Sequence, residues 1–192
     1  WIGLDRAAPG DSETQWSRLA ARYLRKEFAL SKEVKRATVH IAGMGLYELF
    51  INGQRIGDQV LAPAPTDYRK TILYNTYDVT PQLRKENAIG VTLGNGRFYT
   101  MRQNYKPYKI PTFGYPKLRL NLIVEYMDGS KETIATNTSW KLTTEGAIRS
   151  NNEYDGEEYD ARKELGNWTQ SGYDDKSWIA AQRVSILSLI HI

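Results

Sequence analysis

Cysteine is absent from the 192 residues, so disulfides, thiolate catalysis and Cys-ligated metals are excluded. Histidine occurs only at His40, in the strand-like ATVHIAG, and at His191, beside the C-terminus. A His-dependent triad or a two-His metal site therefore lacks its residues. No run of about 18 apolar residues exists, which removes a membrane-spanning helix. The 26 Lys and Arg against 22 Asp and Glu leave a formal charge of +4, but the cations are scattered. The densest stretch runs only from Arg22 to Arg36, whereas nucleic-acid binding needs a concentrated stripe. Helix signals are scarce as well. Thr80-Pro81 resembles a cap followed by a first turn, yet only QLRKEN follows before Asn87. Ser12 to Leu24 admits a short helix, although YLRKEFAL reads more easily as a strand.

Period-2 alternation fills the space that helices leave. In PKLRLNLIVEY, Leu118, Leu120, Leu122, Val124 and Tyr126 share one face, while Arg119, Asn121 and Glu125 share the other. One face should be core and the other wet. Asp128-Gly129 supplies a tight turn into KETIAT, and Asn52-Gly53 a second one between YELFI and QRIGD. AIGVTLG forms another strand that closes at Gly94-Asn95-Gly96. Many short strands with regular turn chemistry predict an all-β fold, an antiparallel β-sandwich of jelly-roll type. The predicted organisation is an arm with a first strand over 1–30, a sandwich over 31–183, and a truncated or artefactual tail over 184–192. The start at Trp1, without an initiator Met, is read as a second truncated end.

The connection from Gly94 to Lys117 is long for a compact domain, and such loops are often functional. It carries Phe98, Tyr99, Tyr105, Tyr108, Phe113 and Tyr115 among Arg97, Arg102, Lys106 and Lys109, stiffened by Pro107, Pro111 and Pro116. Aromatic faces pack on the C–H face of a pyranose, and Arg, Asn and Asp bond its hydroxyls. The same rings would equally serve to anchor the loop on the sandwich or on a neighbouring domain. Both readings stay open.

The acidic stretch Glu153 to Asp160 invites two other readings. Glycoside hydrolysis needs two facing carboxylates, and calcium takes several oxygens. The calcium-binding helix–loop–helix spacing is missing, however, and Arg162 is expected to pair with one of these acids and hold the domain edge. Gly94-Asn95-Gly96 lacks the Lys-Ser/Thr of a phosphate loop. The sequon matches at Asn137 and Asn167 carry no weight outside a eukaryotic secretory setting.

Several segments together resemble the N-terminal β-sandwich of bacterial α-L-rhamnosidases, glycoside hydrolase family 78. They are WIG at the start, YLRKEF, GMGLYELFINGQRIGD, VLAPAPTDYRKTILYNTYDVT, ENAIGVTLGNG, YDGEEYDAR and NWTQSGYDDKSWIAAQ. Arg97 departs from the pattern, since many relatives have Trp after the Gly-Asn-Gly turn. The resemblance implies a non-catalytic domain, with the family's carboxylates in a downstream (α/α)6 barrel and a periplasmic or extracellular parent. It implies as partners a rhamnose-containing glycan and that barrel, or a purely structural module packed on it. Asp67, Tyr68, Arg69, Asn95, Arg97, Phe98, Tyr105 and Phe113 are then the candidate sugar-binding residues. Asp67 and the carbonyl of Pro116 become the candidate calcium ligands, with Asp67 as a simple turn cap the alternative.

Overall fold

Alternation in the sequence becomes two facing antiparallel sheets in the computed structural model, which describes residues 1–5, 19–99, 113–153 and 156–185. The first seven strands are β1 (Ile2–Gly3), β2 (Arg22–Ala29), β3 (Val34–Met44), β4 (Leu46–Ile51), β5 (Gln54–Ile56), β6 (Asn75–Asp78) and β7 (Glu86–Gly94). The second seven are β8 (Lys117–Tyr126), β9 (Lys131–Ala135), β10 (Lys141–Thr143), β11 (Ile148–Asn152), β12 (Gly156–Tyr159), β13 (Ile179–Ala180) and β14 (Gln182–Arg183). One sheet runs β14-β1-β8-β3-β6 with β9 on β8; the other runs β13-β10-β2-β7-β4-β5. A separate hairpin joins β11 and β12. Among the described residues no α-helix forms, and Arg22–Ala29 is the strand that YLRKEF suggested.

The core lies between the sheets. Leu118, Leu120, Leu122 and Val124 of β8 are fully buried and join Val39 and Ile41 of β3. From the facing sheet they meet Leu24, Leu49, Ile89, Val91 and Leu93. Arg119 stays exposed on the other face of β8, as the period requires. At the β4–β5 turn both Asn52 (φ 51°) and Gly53 (φ 83°) are left-handed, the two-residue geometry that Asn-Gly favours. The β8–β9 turn differs. Only Gly129 is left-handed (φ 81°), its N–H donates to Tyr126 O (3.0 Å), and Asp128 Oδ1 accepts the Ser130 N–H (2.9 Å).

The Thr80-Pro81 signal also takes a different form. A 3-10 turn spans Thr80–Gln82, but Val79 holds the cap position and has no side-chain acceptor. Asp78 substitutes, accepting the Thr80 N–H at 3.0 Å and the Thr80 hydroxyl at 2.6 Å.

The outer face of the second sheet is covered by the segment 164–178. Trp168 and Trp178 pack with Tyr23 in a second buried cluster, the Tyr23 and Trp168 rings meeting edge to face at 5.4 Å. Gly90 lets this strap lie flush, because a Cβ there would stand 2.6 Å from Thr169 Cγ2 and 2.8 Å from Trp168 Cζ3. At the opposite chain end, β1 lies between β14 and β8, and the Val184 N–H donates to Trp1 O (3.2 Å). Residues 186–192 of the expected tail lie outside the described residues.

Candidate functional site

The β5–β6 and β7–β8 connections meet at one rim of the sandwich, where β3 ends at Met44, β7 ends at Gly94 and β8 begins at Lys117. The first connection carries Asp67-Tyr68-Arg69. Asp67 O accepts the N–H groups of Lys70 (2.8 Å) and Thr71 (2.9 Å), which closes a turn. Its carboxylate accepts the Arg69 N–H at 3.2 Å and the Arg69 Nε at 3.1 Å, with Lys70 Nζ 3.9 Å away. These bonds, first that from the Arg69 side chain, hold the Asp67 carboxyl below the usual carboxylate range.

The second connection begins as a turn in which Asn95 O accepts the N–H groups of Phe98 (3.2 Å) and Tyr99 (3.3 Å). Gly96 is left-handed (φ 50°), and a Cβ there would come within 2.8 Å of Leu46 Cγ. The turn returns to the described chain at Phe113, whose N–H donates to Phe98 O (2.9 Å).

Beneath this rim sits an aromatic cluster. Tyr68 meets Phe98 edge to face at 5.2 Å and Phe113 at 5.3 Å, while Phe98 and Phe113 stack at 6.0 Å. Met44, Trp1 and Ile72 complete it. Phe98 is only 2% exposed and Tyr68 9%, and burial raises the Tyr68 pKa. The two rings thus point inward, and the charged groups beside them point out.

Asn95 and Arg97 tie this rim to the β11–β12 hairpin. Asn95 is buried; its N–H donates to Asn151 Oδ1 (2.7 Å), and its Nδ2 donates to Leu19 O (2.9 Å) and Asn151 O (2.8 Å). Asn95 Oδ1 and Asn151 Nδ2 are buried without a hydrogen-bond partner, one acceptor and one donor. Arg97 Nε donates to Glu153 at 3.0 Å and 3.3 Å, and its NH2 lies 2.9 Å from Oε1. Glu153, the first residue of the acidic stretch, is therefore a partner of Arg97. At the far end of that stretch, Arg162 donates to both oxygens of Asp160 (2.8 and 2.9 Å), the pairing expected for it. Two of the acids are thus occupied in ion pairs, but only Arg97–Glu153 joins distant segments, since Asp160 and Arg162 are two residues apart.

Of the sequence-derived candidates, Asp67, Tyr68, Arg69, Asn95, Arg97, Phe98 and Phe113 share this rim, and Tyr105 lies outside the described residues. The sequence does not point to Asn151, and it marks Glu153 only as the start of the acidic stretch, not as the partner of Arg97. Each lies 56 residues from its partner, and no local spacing reveals such a pair. The proposed calcium ligands do not form a cage on their own. Asp67 brings one carboxylate already bonded to Arg69, and Pro116 is buried with its carbonyl directed toward Gly3. Among the described residues no three His, Asp or Glu side chains converge, while calcium takes six to eight oxygens.

Comparison with known proteins places this geometry in a family. The α-L-rhamnosidase N-terminal domain family matches residues 32–190. An α-L-rhamnosidase of Formosa agariphila is 45% identical over 164 residues, covering 83% of this chain and 17% of that protein. The crystal structure of the Streptomyces avermitilis α-L-rhamnosidase complexed with L-rhamnose superposes with a TM-score of 0.81 at 40% identity, over 88% of this chain and 16% of that one. The enzyme of Aspergillus terreus gives 0.83 at 38% identity, over 96% and 21%. The chain thus spans about a fifth of the length of these relatives. With its sandwich and most of its length matched, the chain belongs to the α-L-rhamnosidase N-terminal domain family.

Proposed function

We propose that this chain is the non-catalytic β-sandwich of an α-L-rhamnosidase and contributes a rim that contacts rhamnose-containing glycans for the parent enzyme. The observation that carries the reading is the gathering of Asp67, Arg69 and Arg97 over one buried aromatic floor from separate connections. Carboxylate and guanidinium groups fixed by ion pairs are preorganised partners for sugar hydroxyls. The unpartnered Asn95 and Asn151 atoms add a donor and an acceptor that a water or a hydroxyl would satisfy. Hydrolysis itself is assigned to the catalytic barrel of the same polypeptide.

Isothermal titration of the chain with L-rhamnose, once with calcium and once with chelator, tests the reading. Binding heat that disappears in Asp67→Ala and Arg97→Ala is the expected result. Dependence on calcium would add the metal to the site, with the Asp67 carboxylate as its one acidic ligand. Silence in both conditions would favour a second reading, a structural module packed on the barrel. The inward orientation of Tyr68 and Phe98 favours that alternative, because rings so buried offer little stacking surface.

A further inference from the structure

The opposite rim carries a feature that this rhamnose reading leaves unused. There the connection from β2 to β3 and the segment from Val79 to Glu86 enclose a groove of about 460 Å³. Leu30, Val34 and Leu83 line it with aliphatic surface, and Lys32, Arg84 and Lys85 line it with cations; no carboxylate takes part. Lys32 is already committed, donating to Asp128 Oδ2 (2.8 Å) and Ser130 Oγ (2.9 Å). Among the described residues neither Arg84 nor Lys85 has an ion-pair partner. The main chain holds both in place: the Arg84 N–H donates to Asn87 Oδ1 (2.8 Å), and Lys85 O accepts the Leu30 N–H (2.9 Å).

Thr80 also lines a neighbouring hollow of about 610 Å³, where the chemistry changes. Its lining mixes Lys35 and Arg36 with Asp78 and Glu125. A groove whose uncompensated charges, Arg84 and Lys85, are cationic selects an anion, and a guanidinium is the group best shaped for a carboxylate. A lining of both donors and acceptors suits hydroxyls, which do both. The aliphatic floor suits the C–H faces of a sugar ring.

We propose that this groove binds an acidic saccharide, its carboxylate on Arg84 and Lys85 and its hydroxyls reaching the hollow between Arg36, Asp78 and Glu125. The site is independent of the rim at Asp67, so either assignment can fail while the other stands.

The test is titration of the chain with tri-galacturonate at low salt, beside the fully methyl-esterified trimer, which keeps the shape and loses the charge. The acid should bind, weaken as salt is added, and lose about tenfold or more in affinity in Arg84→Glu/Lys85→Glu. The ester should bind far more weakly. The urea midpoint of the variant serves as the folding control, with Arg84→Gln/Lys85→Gln used if charge reversal prevents folding. Equal binding of acid and ester, no binding of either, or binding untouched by these variants would overturn the proposal. Displacement by tripolyphosphate at equal concentration would also overturn it, by reducing the groove to a plain anion patch.

Discussion

The guanidinium of Arg25, only 1% exposed on β2, is clasped by the carboxylate of Asp175, 150 residues further along the chain. The same side chain donates to Trp168 O and Gln170 O, each at 3.0 Å, and pairs with Glu27. One buried cation thereby fastens the 164–178 strap across the outer face of the second sheet. Arg25→Ala should cost about 3 kcal/mol or more, since it strips a buried charge from several partners at once. Asp175→Ala should cost less, because Glu27 and two carbonyls remain. Urea unfolding followed by tryptophan fluorescence checks both, and equal midpoints for wild type and Arg25→Ala would refute the fastening role.

Burial separates the two rings stacked at the candidate rim. Phe98→Ala should lose about 3–5 kcal/mol, the scale for truncating a fully buried aromatic. Phe113 is only partly buried, so Phe113→Ala should lose clearly less. Thermal or urea denaturation of the pair reads the difference. A Phe98→Ala protein as stable as wild type would mean that the ring is free to serve as a binding platform.

Acid and alkali should each weaken the domain through identifiable groups. The two bonds from Arg162 hold the Asp160 carboxyl at about 2, and Lys32 with Ser130 holds Asp128 lower than usual. An unfolded aspartate titrates near 3.9, roughly. The folded values lie below it, so this stabilisation is complete above about pH 4 and is lost as pH falls toward 2. Tyr126, buried and hydrogen-bonded to Glu132, is pushed up to about 12. A raised tyrosine stabilises the fold below about pH 10, and the contribution is lost as pH rises through 12. Urea midpoints across pH 2 to 12 should fall at both ends, with Asp160→Asn flattening part of the acid limb. A constant midpoint between pH 4 and 2 would count against the assignment.

Read alone, the sequence determined the fold class, because the signals for strands and hairpins are local. Leu118 to Tyr126 shows its buried face in its own period, and Asn52-Gly53 shows its turn in two adjacent residues. The family was legible for the same reason, being carried by contiguous segments. The candidate rim was legible in part. Phe98 stood out in an aromatic-rich loop and Asp67-Tyr68-Arg69 through the family resemblance, but nothing along the chain told whether the rings face sugar or core. That depends on what packs behind them, and Met44 and Trp1 arrive from distant parts of the sequence. The same holds for Glu153 opposite Arg97, Asn151 against Asn95, and Asp175 on Arg25. Each is an ordinary surface-type residue until two sheets and a strap bring it to its partner. Tertiary structure decided these pairings because hydrogen bonds and ion pairs act over a few ångströms in space, whatever the separation along the chain.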